Sequence, residues 1–234
     1  RLGLYGPGWR TQQLSEETIS LYVRAQSELT KAGAILVENP FAGTGFSALR
    51  QLTPPLSELD ARGLESVPYD INCYLQRLGP DAALKSFSDF ANATKIDNPF
   101  GPNGVLSYLN SLPDFRASLA DPTKPPDLPD FIALKTAYLE IIEDVYHRHR
   151  LDALVFPQMR KEVPGLNSGE AIQETTVDEL NIAGLPAVTV PAGYYTSGAP
   201  FEIIFVGQLW QEAELLAQAF AYEQATRHRI SYDC

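Results

Sequence analysis

Residues Thr176 to Arg229 read TVDELNIAGLPAVTVPAGYYTSGAPFEIIFVGQLWQEAELLAQAFAYEQATRHR, and the reading of this stretch decides the fold. Asn181, Gly184, Pro186, Pro191 and Gly193 punctuate a short β-rich run. AVTVPAGY (187–194) and FEIIFVGQ (201–208) are two strands joined by six residues, Tyr195 to Pro200, that include Gly198. A linker of that length suits a hairpin and is too short for a helical crossover, so the pair is antiparallel and the sheet mixed. A helix follows from about Glu212, with Leu215, Leu216, Ala219 and Tyr222 on one face. His228 and Arg229 fall near its end, where positive charge complements the helix dipole.

Two earlier segments share a helix-then-strand grammar. Ser15 caps a helix with Ile19, Tyr22, Val23 and Leu29 at helical spacing; Gly33 stops it, and Ala34–Val37 reads as a buried strand. Ile132, Tyr138, Ile141, Ile142 and Val145 mark a second helix, after which Ala153–Phe156 forms a strand closed by Pro157. Apolar strands after amphipathic helices indicate a sheet covered on both faces, an α/β architecture. The opening RLGLY is strand-like. Between the two segments the texture changes. Pro40 to Pro55 is loop-rich, Tyr69–Leu78 and Asp81–Ala93 read as short helices, and Asn98 to Pro129 is proline-rich. Long loops of this kind in a compact domain are functional covers or mobile segments.

Composition narrows the function classes. A hydrophobic fraction of 44% over 234 residues supports a packed core. A formal net charge of -11 disfavours nucleic acid and anionic membrane as partners. Cys73 and Cys234 make neither a disulfide framework nor a zinc site, which favours a reducing, cytoplasmic compartment. No apolar run reaches the ~20 residues of a membrane-spanning helix. Arg1 opens the chain without Met or a signal-like segment, which reads as a cut point.

Tests for a resident catalytic centre give little. His147, His149 and His228 lie in basic clusters at helix ends, and Ser168 sits in LNSGE without a G-x-S-x-G elbow, so a histidine-based hydrolase is disfavoured. Glu140, Glu143 and Asp144 read as a solvated acidic face rather than metal ligands. Gly43-Thr44-Gly45-Phe46-Ser47-Ala48 matches a dinucleotide fingerprint in form. Four residues separate it from the preceding strand, however, so the expectation is a glycine-rich loop with no cofactor.

The Thr176–Arg229 pattern resembles the closing segment of amidase-signature enzymes, through Asn-x-x-Gly-Leu-Pro-Ala, Pro-Ala-Gly and Pro-Phe-Glu-Ile-Ile-Phe-Val-Gly in order. LDALVFPQ (151–158) resembles the family's preceding strand, with Gln158 where Thr is common, and INCYLQRL (71–78) is similar to a helix carrying Asn-x-Tyr-Leu. The resemblance covers nearly all of residues 1–234, as the C-terminal portion of one domain with a pocket-covering insertion at about 40–129. It implies a three-layer α/β/α fold with a mixed sheet, and carboxamide hydrolysis by a Ser–cis-Ser–Lys mechanism acting on a small amide. The GGSSGG-like loop and lysine base of that mechanism are absent from these residues, so no catalytic residue is assigned here and a missing N-terminal catalytic half is the implied partner. This portion is expected to supply pocket wall: Gln158 at a strand end, and Glu174 and Thr176 before the Asn181 turn; the alternative is that Thr176 and Asn181 cap backbone in a tight loop. Phe41, Phe46, Tyr69, Tyr74, Phe100 and Tyr108 are either pocket aromatics or, more commonly for such residues, core. Two other readings are a non-catalytic binding or scaffold module and an A-type subunit of an amidotransferase.

Overall fold

The computed structural model describes residues 1–6, 8–9, 13–51 and 59–230; Cys234 lies outside them. The chain divides into a unit of residues 1–51 and 137–234 and a second unit of residues 52–136. The elements run β1 (Leu2–Leu4), α1 (Glu16–Lys31), β2 (Leu36–Val37), α2 (Phe46–Gln51), α3 (Val67–Arg77), α4 (Phe87–Ala93), α5 (Phe115–Ala120), α6 (Pro129–His149), β3 (Ala153–Pro157), α7 (Val177–Ala183), β4 (Ala187–Tyr194), β5 (Pro200–Val206) and α8 (Glu212–Thr226).

The first unit is built on a mixed five-stranded sheet of order β2-β1-β3-β5-β4. β1 is parallel to β2 and β3, whereas β5 is antiparallel to β3 and to β4. β3 is buried along its whole length because it is central and covered on both faces. On one face, Leu2, Leu4, Ala153, Val155, Val190, Ala192, Phe201, Ile203 and Phe205 form a cluster with Tyr22, Ala25 and Leu29 of α1 and Leu215, Ala219 and Tyr222 of α8. On the other, Leu154, Phe156, Ile204 and Val206 are buried, and α6 buries Tyr138, Ile142, Val145 and Tyr146. The Tyr146 hydroxyl donates to the Val206 carbonyl at 2.6 Å, tying α6 to β5. Helices on both faces give the three-layer α/β/α arrangement. Beyond the sheet, Trp9 stacks within 5.0 Å of Phe156 and 4.5 Å of Phe41, and Phe46 bridges to Tyr138 at 5.2 Å. Phe41 and Phe46 are therefore core residues.

Several elements differ from their sequence reading. Ala34–Val37 is not a buried strand: only Leu36 and Val37 pair, at the end of the sheet, and Ile35 is exposed. With a neighbour on one side only, and Asn39 at positive φ followed by Pro40, the strand stops early. On α1, Ile19 and Val23 are exposed because Thr18 takes the inward position, its hydroxyl bonded to that of Tyr195 at 3.0 Å. Leu216 on α8 and Ile132 on α6 are likewise exposed. His228 follows the helix end at Arg227 and lies 3.0 Å from both Glu28 carboxylate oxygens, so it serves a side-chain tie between α8 and α1. Residues 177–183 form a helix, ended by Gly184 at φ 75°, where a tight loop was expected. α2 begins at Phe46, inside the glycine-rich segment, and extends for 6 residues only.

The second unit has its own small core of Phe87, Phe100, Leu109, Leu112 and Phe115. Its helices are short. α4 starts only at Phe87, where Ser86 caps it, and α3 presents Asn72 to accept from the Phe87 amide at 3.0 Å. The proline-rich stretch holds a 3₁₀ turn at Ser107–Ser111 and then α5, so it is ordered by packing rather than left as loop. Buried Asp60 accepts from the amides of Leu64 and Glu65, and buried Glu65 accepts from the Asp114 amide at 2.6 Å. Tyr74 and Tyr108 are exposed, and Phe100 is core.

Candidate functional site

β3 ends at Pro157, and from there the chain forms a narrow ribbon with residues 173–175. The Thr175 amide donates to the Gln158 carbonyl at 3.0 Å, the Thr175 hydroxyl donates to the Pro157 carbonyl at 2.8 Å, and the Arg160 amide donates to the Gln173 carbonyl at 2.8 Å. Met159 and Glu174 face each other as an antiparallel bridge. The Ser15 amide donates to the Arg160 carbonyl at 2.8 Å, docking the start of α1 on the ribbon. The intervening loop turns at Gly169, with φ 73°, and is pinned by Lys161 to Glu170 at 3.2 Å.

The ribbon carries two of the three expected wall residues but turns their side chains to opposite faces, because Glu174 pairs with Met159, the neighbour of Gln158. Gln158 and Glu174 sit on its two strands, one register step apart, and both are half-buried. Thr176 goes elsewhere. It is fully buried at the start of α7, its side chain caps no backbone amide, and its hydroxyl has no hydrogen-bond partner among the described residues. Asn181 is exposed on α7 and contributes only its carbonyl, to the Gly184 amide at 3.2 Å.

Two residues that sequence reasoning passed over complete the polar surface. The Thr189 hydroxyl of β4 donates to the Gln158 side-chain oxygen at 3.2 Å. Glu202 of β5 lies opposite Pro191, and two residues before Ile204, which pairs with Thr189. Alternation along β5 places Glu202 on the same face as Ile204, opposite the α1/α8 cluster. Half-buried and without a charge partner among the described residues, its carboxyl is pushed above the ordinary range by desolvation. The available signal was a polar residue in each of two otherwise apolar strands, AVTV and FEIIF.

Gln158, Thr189 and Glu202 thus supply an amide, a hydroxyl and a carboxyl on one face of the sheet, with Glu174 on the other face of the ribbon. These groups can orient a polar ligand by hydrogen bonding and by opposite charge. They include no activated nucleophile. Among the described residues no group of three or more His, Cys, Asp and Glu could hold a metal ion. Ser168 accepts from the Glu170 amide on the exposed loop, and Ser197 donates to Glu162. No described helix is long and apolar enough to cross a membrane.

No family model matches the chain. Among curated proteins it is 40% identical over 53 residues to the A subunit of glutamyl-tRNA(Gln) amidotransferase from Psychrobacter cryohalolentis, over 23% of this chain and 11% of that one. It is 34% identical over 101 residues to the corresponding protein of Ruegeria sp., over 39% and 20%. The chain therefore matches about a tenth to a fifth of the length of these relatives. Among solved structures, PAM12A superposes with a TM-score of 0.64 at 27% identity, over 98% of this chain and 44% of that one. The peptide amidase of Stenotrophomonas maltophilia gives 0.61 at 23% identity, over 98% and 43%. A bacterial aryl acylamidase of the amidase-signature family shares the fold with a TM-score of 0.57 at 19% identity, over 96% and 43%. In fold and in sequence, the chain corresponds to the C-terminal portion of amidase-signature proteins.

Proposed function

We propose that this chain forms the substrate-facing wall of an enzyme that hydrolyses carboxamide C–N bonds, with the reacting groups supplied by polypeptide outside residues 1–234. One observation carries this reading: a chain that superposes over 98% of its length on PAM12A presents Gln158, held by Thr189, and half-buried Glu202 on one face of its sheet. In the mechanism that the resemblance implies, a serine hydroxyl attacks the amide carbon and a second serine relays its proton to a neutral lysine. Backbone N–H groups hold the oxyanion, and the amine leaves with a proton returned along the same relay. The part played by this chain is positional. Gln158, held by Thr189, offers a fixed amide dipole, and half-buried Glu202 lies on the same face of the sheet. Holding an amide in register with a nucleophile accounts for a large share of such rate enhancements.

The substrate class in this proposal is a small amide, and the acidic surface favours amides whose leaving or flanking group is neutral or cationic. The test is amine or ammonia release from a panel of aliphatic, aryl and peptide amides by the complete polypeptide, with Gln158→Ala alongside. Turnover that falls with an increased KM in the variant supports the wall role. A complete polypeptide with no turnover on any amide sinks the reading in favour of a non-catalytic module. The 101-residue match to an amidotransferase component supports a second reading, in which ammonia from a glutaminase activity is the acyl acceptor. Activity that appears only when glutamine and a glutaminase partner protein are supplied selects it.

A further inference from the structure

We infer that Gln158 and Glu202 form a recognition pair for an aminoacyl amide, a substrate with a protonated amine one carbon from its amide carbonyl. Glu202 accepts from the ammonium, and the amino group of Gln158 donates to the carbonyl oxygen. Strand order brings the two side chains together. β5 lies between β3 and β4 in the sheet. Gln158 follows β3 directly, and its side-chain oxygen accepts from Thr189 on β4 at 3.2 Å. The Gln158 side chain therefore spans β5, on the face where alternation also places Glu202. The ladder agrees. Phe156 pairs with Ile204 and Pro157 with Ile203, so the next step along the two strands sets Gln158 against Glu202. Cross-strand neighbours of this kind stand about 4.5–5.5 Å apart at Cβ, close enough to hold one small ligand between them.

Both side chains keep unused hydrogen-bonding capacity. Thr189 takes the oxygen of the Gln158 amide and leaves its amino group without a partner among the described residues. Glu202 has neither an ion pair nor a hydrogen bond among those residues, and desolvation is what raises its carboxyl. A carboxylate on a strand with neighbours on both sides is costly unless something answers its charge. Ile204 and Val206, next along the same face, are buried and apolar, so packing of this row does not call for a glutamate. The surrounding charge has the same sign. Burial raises the Tyr195 phenol against its Thr18 hydrogen bond, and the carboxylates of Glu17, Glu162 and Glu202 add to that rise, so all three act on one place. The cations of the adjoining ribbon are engaged: the Arg160 guanidinium bonds the Gln173 side chain, and Lys161 pairs with Glu170 at 3.2 Å. A cationic ligand is drawn to this face and an anionic one repelled.

An aminoacyl amide matches both groups at once. Its ammonium has only donors, which suits a carboxylate, and its carbonyl oxygen has two lone pairs. One takes the Gln158 amino group, and the other stays open for the oxyanion donors of the reaction. Hydrolysis then converts the amide and water into the amino acid and ammonia. That reaction rests on the amidase reading, whereas the binding rests on this face of the sheet alone.

The test uses the complete polypeptide and two amides of one shape, leucinamide and 4-methylpentanamide, which differ only by the amine. At about pH 6.5, below the ordinary α-amino range, leucinamide is protonated. One hydrogen bond to a charged group corresponds to about tenfold, so kcat/KM for ammonia release should favour leucinamide by at least that factor. Glu202→Gln should bring the ratio below about twofold through the KM of leucinamide, and Glu202→Asp should restore part of it. In parallel, NMR of carboxyl-labelled glutamate, with the Glu202 signal identified by its loss in Glu202→Gln, follows the carboxyl directly. Saturating leucinamide should lower its pKa, and 4-methylpentanamide should leave it in place. Hydrolysis of both amides without preference, or a preference that survives in Glu202→Gln, overturns the inference and leaves the amidase reading standing. A Glu202 carboxyl already below the ordinary range in the ligand-free complete polypeptide overturns it too, because a built-in cation then holds that place. A pKa response to leucinamide without hydrolysis of any amide supports the pair and sinks the amidase reading. Neither response nor hydrolysis sinks both.

Discussion

At the scale of single residues, Glu202 gives a pH-dependent prediction. Its folded-state pKa is raised by burial, so its contribution to stability is complete below the ordinary glutamate range, near about pH 4.3, and is lost as pH rises through the raised value. Glu202→Gln should therefore stabilise the fold at neutral pH and flatten the rise in melting temperature on acidification. Calorimetry of both proteins between acidic and neutral pH checks this, and an unchanged slope counts against it. Thr176 gives a sharper separation of roles. Its buried hydroxyl has no partner among the described residues, so Thr176→Val should stabilise the fold by up to about 1 kcal/mol in denaturant titrations. A rise in KM in the complete enzyme would show that the hydroxyl meets substrate; no change would leave it a packing residue. Gly193 belongs to the backbone of β4 at φ 127°, and a Cβ there would overlap the Arg24 guanidinium. Gly193→Ala should cost on the order of 1–3 kcal/mol, because the backbone is strained and Arg24 is pushed off the Ala192 carbonyl.

At the scale of elements, legibility followed how many neighbours each element has. β3, β5 and α6 were readable because elements that are buried from several sides must be apolar in the period of their own geometry. Elements whose inward positions are polar misled. Thr18 on α1 displaces Ile19 and Val23 from the core because it can bond Tyr195, a partner 177 residues away. β2 looked like an inner strand because four apolar residues in a row do not reveal that the sheet ends beside them. In the proposed site, the sequence singles out Gln158 and Glu174 because both lie where a strand ends or a turn begins. Their placement on opposite faces of one ribbon depends on the Met159–Glu174 bridge, which no spacing rule predicts. The cap of α1 supplies an element-scale test. Ser15 accepts from the Thr18 amide at 3.2 Å and its own amide binds the ribbon at Arg160. Ser15→Ala should cost about 1 kcal/mol of stability while leaving the ribbon in place, because only its two side-chain bonds, to the Thr18 amide and hydroxyl, are lost. Thermal melts, with exchange at Arg160 and Gln173 as control, measure both halves of that statement.

At the scale of the whole molecule, residues 1–234 alone should show no amide hydrolysis above background. Nucleophile, base and oxyanion donors must be held in mutual register, and loss of one such oxyanion donor alone costs roughly 10²–10³ in rate. An assay of residues 1–234 that gives turnover comparable to the complete enzyme, abolished by a point change within them, would contradict this. The two tryptophans have a practical consequence for such work. Trp9 is sealed among Phe41, Phe46 and Phe156, whereas Trp210 stands in solvent. Their emissions therefore carry different information without any added label. An aqueous quencher such as iodide should extinguish the red-shifted Trp210 fraction and spare the blue-shifted Trp9 fraction. The first becomes a gauge of what reaches the surface, and the second an internal thermometer of whether the core is still intact.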